Sequence, residues 1–136
     1  MDVEDVSTEQ AVSRWCIELD WYKSNRRSFI TLAQGCLCPE CRKRLKVDKG
    51  EALQADVLAT IKDCCSKTEA FITGELPILE SIFRLLLANG NKPMDLEEIG
   101  NQLSERRGGD ATRTSVEVLS RILESDRYYG LKQVEE

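Results

Sequence analysis

Six cysteines and not one histidine stand in this chain of 136 residues. Without histidine there is no Ser-His-Asp or Cys-His catalytic arrangement and no imidazole metal ligand, so thiolates, carboxylates and backbone are the remaining metal donors. Three cysteines fall within Cys36-Leu37-Cys38-Pro39-Glu40-Cys41. Two thiolates spaced as in Cys38-x-x-Cys41 reach one metal from a tight turn, with backbone N–H groups pointing at the sulfurs. Pro39 stiffens that turn, and the adjacent Arg42 and Lys43 favour deprotonated thiols. One such pair is half of a tetrahedral site. Cys64 and Cys65 follow at a gap of the order that separates the halves of four-cysteine sites.

The expected ligands are therefore Cys38, Cys41, Cys64 and Cys65. Side chains of adjacent cysteines diverge unless the helix frays there, so Cys36 is the alternative ligand. Zinc is the expected metal, with an iron–sulfur cluster as the alternative because it also accepts four cysteines. Two other uses compete. Free cysteine packs well as a small hydrophobe, and a Cys-x-x-Cys can be redox-active, although that motif normally opens a helix in a βαβ setting not visible here. Cys16 falls on the apolar face of an expected helix and reads as core.

The net charge of −5 hides a segregation. Residues 1–21 hold six acids and one base, whereas residues 22–49 hold eight Lys and Arg against Glu40 and Asp48. The basic stretch coincides with the cysteine cluster. Arg42, Lys43 and Arg44 are its centre and are candidate phosphate contacts, with Trp21, Tyr22 or Phe29 available for stacking on bases. The same run also reads as a solvated face or as a partner for the protein's own acidic ends. The acidic, polar start MDVEDVSTEQ is unlike a secretory signal, and no apolar run reaches the roughly 18 residues of a spanning helix. The expected location is the cytoplasm, where thiols stay reduced.

Helical spacing predicts a first helix over about 8–24, capped by Ser7 or Thr8 and carrying Trp15, Cys16, Leu19 and Tyr22. A short helix around Phe29–Ala33 stops at Gly35, residues 36–50 read as a loop or knuckle, and another amphipathic helix covers 51–67. Pro77 then opens a strongly apolar helix ending at Asn89-Gly90, and Lys92-Pro93-Met94 is extended. Asp95 caps the next helix, with Glu97 and Glu98 in its first turn, and Gly108-Gly109 breaks it. Thr112 or Thr114 caps a last helix, and 126–134 reads as a short hairpin or wing. Ile82, Leu86, Ile99, Leu103, Val118, Leu119 and Ile122 are the expected core of this half.

Residues 77–134 resemble a winged helix-turn-helix domain, in the order helix, short strand, helix, loop, helix, wing. The resemblance rests on PILESIFRLLLANGNKPMDLEEIGNQLSERRG and TSVEVLSRILESDRYYGLKQV. It is nearest to the small module that opens the bacterial RNA polymerase delta subunit, whose "G-x-P-M" strand and "E-I" helix are matched by Gly90, Pro93, Met94, Glu98 and Ile99. The resemblance implies a recognition helix offering Thr112, Arg113, Thr114, Ser115, Glu117 and Arg121, a wing offering Arg127 and Lys132, and Arg106 and Arg107 flanking the loop before it. Those cations are few and acids lie among them, so DNA and protein both stand as partners.

The expected architecture is mainly α: a helical, cysteine-rich metal-binding region (1–74) packed on a winged helix-turn-helix with a small β wing (75–136). The nucleic-acid candidates are Arg42, Lys43, Arg44, Arg113, Thr114, Arg121 and Arg127. No paired-carboxylate site, phosphate loop or nucleophile–base pair can be picked out. The expected role is a non-enzymatic regulator or adaptor, connected to transcription, that takes no small-molecule substrate and binds no membrane. An iron–sulfur or thiol redox sensor coupled to the winged helix is the alternative.

Overall fold

The computed structural model describes residues 14–47, 53–108 and 114–134. The described chain is mainly helical, with one three-stranded antiparallel sheet. It starts with strand β1 (Arg14–Ile17), followed by three helices of six residues each: α1 (Leu19–Ser24), α2 (Phe29–Gln34) and α3 (Pro39–Arg44). Helix α4 (Gln54–Asp63) leads into two 3₁₀ turns, Cys65–Lys67 and Glu69–Phe71. The remainder is α5 (Ile78–Ala88), β2 (Met94–Asp95), α6 (Leu96–Arg107), α7 (Val116–Glu124) and β3 (Leu131–Val134). No helix among the described residues is long and apolar enough to cross a membrane.

The expected first helix is corrected. Its residues 8–13, and the caps Ser7 and Thr8, lie outside the described residues; residues 14–17 are a strand, and the helix begins only at Leu19. Burial alternates along β1: Trp15 and Ile17 face the core while Arg14 and Cys16 face outward. Cys16 is therefore half-buried on the outer sheet face and not a core residue. A helical period and a strand period overlap over so short a stretch. What decides is the partner strand, which comes from the opposite end of the chain, with Arg14 paired to Val134 and Ile17 to Leu131.

The same pairing corrects the expected hairpin at 126–134. Only one strand forms there, and its partner is β1, which lies between β2 and β3 in the sheet. Asn91, in the left-handed region at φ 61°, reinforces this arrangement. Its side-chain amide accepts from Ile17 N–H at 2.7 Å and donates to Ile17 C=O at 2.9 Å, as a further strand residue would. Gly130 makes the turn before β3 possible. It holds φ +66°, and a Cβ there would lie 2.9 Å from the Trp21 ring.

One core runs through the described molecule. Helix α5 is its axis, with Ile82, Phe83, Leu85, Leu86 and Leu87 buried. Asp95 caps α6 by accepting from Glu98 N–H at 2.8 Å, and Gly108 ends it in the left-handed conformation, as those residue types dictate. Ser115, rather than Thr112 or Thr114, caps α7. That phase puts Leu119 and Leu123 in the core and leaves Val118 and Ile122 half-buried, a correction to the expected core. An aromatic chain joins the two halves: Tyr22 to Phe29 at 5.2 Å and Phe29 to Phe83 at 6.3 Å, both edge-on, and Phe83 to Tyr129 at 4.9 Å, tilted. The Tyr22 hydroxyl donates to the Tyr129 carbonyl at 2.5 Å.

Candidate metal centre

Residues 36–50 are not a plain loop: their described part contains α3. Cys38 is its N-cap residue, Pro39 sits in its first turn, and Cys41 comes one turn from Cys38 and is buried. The Cys-x-x-Cys thus opens a short helix, which sends both sulfurs to one side. Across from it, α4 stops at Asp63. Cys64 has φ −128° and ψ −65°, outside helical geometry. This break removes the difficulty of adjacent cysteines, because the two side chains leave the backbone toward different partners.

The Sγ atoms of Cys38, Cys41 and Cys64 lie within 4.8 Å of one another and can hold a metal ion. Cys41 Sγ is 3.5 Å from Cys64 Sγ. Cys65 Sγ is 3.6 Å from Cys38 Sγ and accepts from Cys38 N–H at 3.2 Å. Sulfurs sharing one tetrahedral zinc at about 2.3 Å stand about 3.8 Å apart. The trio Cys38, Cys41 and Cys64 suits such an ion, while the expected fourth ligand Cys65 sits against Cys38 and is not within 4.8 Å of all three. Cys36 lies apart from this group. It is buried in the core and directs its thiol to Leu32 C=O at 3.6 Å.

The electrostatics follow from one cation and from burial. Arg44 donates to Cys41 Sγ at 3.5 Å, and this hydrogen bond brings the Cys41 thiol down to about 7. Donating to that thiolate holds the Cys64 proton on and raises its pKa. Burial pushes Cys65 up to about 12 and Cys36 up to about 11. Of the Cys41, Cys64 and Cys65 thiols, Cys41 gives up its proton most readily, beside two neighbours that hold theirs more tightly. A metal ion replaces those protons with its own charge.

The phosphate-contact candidates scatter. Lys43 and Arg44 are exposed on α3, but Arg44 also serves Cys41, and half-buried Arg42 donates to Gln34 C=O at 2.8 Å. Thr112 and Arg113 lie outside the described residues, and Thr114 is buried, so it offers no contact surface. Arg121 is exposed on α7, and exposed Arg127 donates to Asp126 C=O at 2.9 Å. Tyr22 and Phe29 are core residues, and half-buried Trp21 covers Gly130, so the stacking role expected of these aromatics is corrected.

Arg107 is tied inward as well. It donates to Thr73 C=O and Gly74 C=O at 3.3 Å, to Ser81 Oγ at 2.9 Å and to Leu76 C=O, fastening the 68–77 connection to α6. Arg106 donates to Ser66 C=O at 3.1 Å, next to Cys65. Neither role is readable from residue types alone, because backbone acceptors carry no residue signature.

Comparison with protein-family models, with curated proteins and with solved structures finds no match to this chain.

Proposed function

We propose that this chain is a non-enzymatic regulatory or adaptor protein of the cytoplasm, connected to transcription. In this reading a zinc ion on Cys38, Cys41, Cys64 and Cys65 holds the N-terminal helices together beside a winged-helix unit that docks on a partner. The observation that carries it is the convergence of Cys38, Cys41 and Cys64 from two separated segments, their Sγ atoms within 4.8 Å of one another, with Cys65 Sγ 3.6 Å from Cys38 Sγ as the nearest further thiol. A cubane iron–sulfur cluster spreads its cysteines more widely than sulfurs sharing one ion, so the compactness favours zinc.

The order α5, β2, α6, α7, β3 supports the winged-helix reading, with β1 supplying the strand between β2 and β3. The exposed faces of α6 and α7 carry Glu97, Glu98, Glu105, Glu117 and Glu124 around Arg106 and Arg121. Such a face neutralises few phosphates. It favours a protein partner with a basic surface, and leaves any nucleic-acid contact to Arg42, Lys43 and Arg44.

Elemental analysis and an absorption spectrum of protein purified without air test the metal. Zinc without colour is expected; iron with a brown chromophore supports the cluster alternative, and a metal-free protein removes both. A mobility-shift series in salt tests the partner. Weak duplex binding at low salt, flattened by changing Arg42, Lys43 and Arg44 to Ala, fits the assignment, whereas salt-resistant binding that survives those changes moves the contact to α7.

A further inference from the structure

The four sulfurs are not equivalent. They form two close couples, Cys41 with Cys64 at 3.5 Å and Cys38 with Cys65 at 3.6 Å, and each couple joins α3 to the segment after α4. Within the first couple Cys64 is exposed while Cys41 is buried, and in the second Cys65 is fully buried. An oxidant arriving from solvent therefore meets Cys64 first, and the nearest sulfur behind it belongs to Cys41 rather than to a neighbour in sequence. We infer that Cys64 is a site of oxidation by hydrogen peroxide, resolved by Cys41 into a Cys41–Cys64 disulfide that discharges the metal. The inference rests on the metal reading above, in which both sulfurs are ligand thiolates.

The chemistry balances with the peroxide as the named oxidant. The Cys64 thiolate attacks one peroxide oxygen, the O–O bond breaks, and the departing hydroxide takes a proton to become water. Cys64 is left as a sulfenic acid. The Cys41 thiolate then attacks the Cys64 sulfur, the S–O bond breaks, and a second hydroxide leaves as water after protonation. Two sulfurs have each given one electron, and the two electrons have reduced one peroxide to two waters. The metal keeps Cys38 and Cys65 alone and departs as the divalent ion. A thiol reductant of the cell reverses the disulfide by exchange.

The pairing makes this a sharp claim. A Cys-x-x-Cys ordinarily closes on itself, which here would give Cys38–Cys41. The test treats the metal-loaded full chain with one equivalent of hydrogen peroxide, follows zinc release with a colorimetric chelator, and maps the disulfides by proteolysis and mass spectrometry. Release of the bound zinc together with a Cys41–Cys64 link is expected. Changing Cys16 and Cys36 to Ser should leave both results unaltered. Formation of Cys38–Cys41, prior oxidation of Cys16, or retention of the metal through peroxide exposure each overturns the inference while leaving the metal site standing. A chain purified without metal overturns the zinc reading instead. The peptide map of that metal-free chain then decides the pairing alone: a Cys41–Cys64 link retains it, and any other pairing ends it.

Discussion

The segment from α1 to α4 and the segment from α5 to α7 are held by different physics. Helices α5 and α6 have 11 and 12 residues, and α5 alone buries five large apolar side chains. Helices α1, α2 and α3 have six residues each and bury one or two apiece. A six-residue helix barely repays its own nucleation. Such pieces hold position only when something other than their length fixes them. In the first segment the cysteine cluster and the aromatic chain from Tyr22 to Tyr129 do that work. In the second, apolar area suffices. The cysteine cluster thus sits where the helices are shortest.

Removing the metal is the strongest way to break this contrast. Metal binding contributes its free energy directly to the folding of the segment it joins. Chelation, or Cys38→Ser, should raise amide hydrogen exchange over α2 and α3 by orders of magnitude and leave α5 protected. Equal deprotection of both segments would show one cooperative unit instead. Uptake should also depend on pH with a definite sign. The ion must displace the protons that Cys64 and Cys65 retain, and below about 7 it must displace the Cys41 proton as well. Affinity for zinc should therefore fall as pH falls, more steeply below about 7. A competition titration across that range measures it.

The second segment breaks through its core. Leu86 is fully buried on α5, so Leu86→Ala should cost about 2–5 kcal/mol in chemical denaturation. Metal content should survive at denaturant concentrations below the transition. A loss near zero would mean that α5 is not the axis of the fold.

How much of this was legible beforehand follows the same division. Helix α5, the Asp95 cap, β2 and the Gly108 stop announce themselves locally, through apolar spacing and residues with strong positional chemistry. Strand β1 does not, because its four residues satisfy a helical period as well as a strand period, and its partner lies at the other end of the chain. The approach of Cys38 and Cys41 to Cys64 was legible from spacing and from the missing histidines, whereas Cys65 sits against Cys38, outside that trio. The pairing within the cluster was not legible, because it depends on α4 ending at Asp63 and on the backbone angles of Cys64. The Arg107 fastening was invisible for a similar reason, since carbonyls of any residue can serve as acceptors.

That fastening gives the next smaller effect. Arg107→Met keeps the aliphatic bulk and removes the donors to Thr73, Gly74, Leu76 and Ser81. Leaving the partly buried acceptors of Thr73, Leu76 and Ser81 without partners should cost about 1–3 kcal/mol. Because the 68–77 connection follows the Cys65–Lys67 turn, faster zinc loss in a chelator-competition assay should accompany the loss of stability. Unchanged retention would mean that the connection transmits nothing to the cluster.

The smallest changes compare the segments most directly, because the same kind of interaction occurs in both. Ser28 caps α2 by accepting from Thr31 N–H at 3.2 Å, and Asp95 caps α6 by accepting from Glu98 N–H at 2.8 Å. Replacing either by Ala removes one cap, worth about 1 kcal/mol. If apolar packing ties α6 to the global fold, Asp95→Ala should lower the unfolding free energy by nearly that whole amount. If the cluster holds α2, Ser28→Ala should leave global unfolding of the zinc-loaded protein almost unchanged. Its cost should appear instead as faster exchange of the α2 amides, and it should grow when the metal is removed. Identical global effects from the two caps would erase the distinction between the segments, however different their composition.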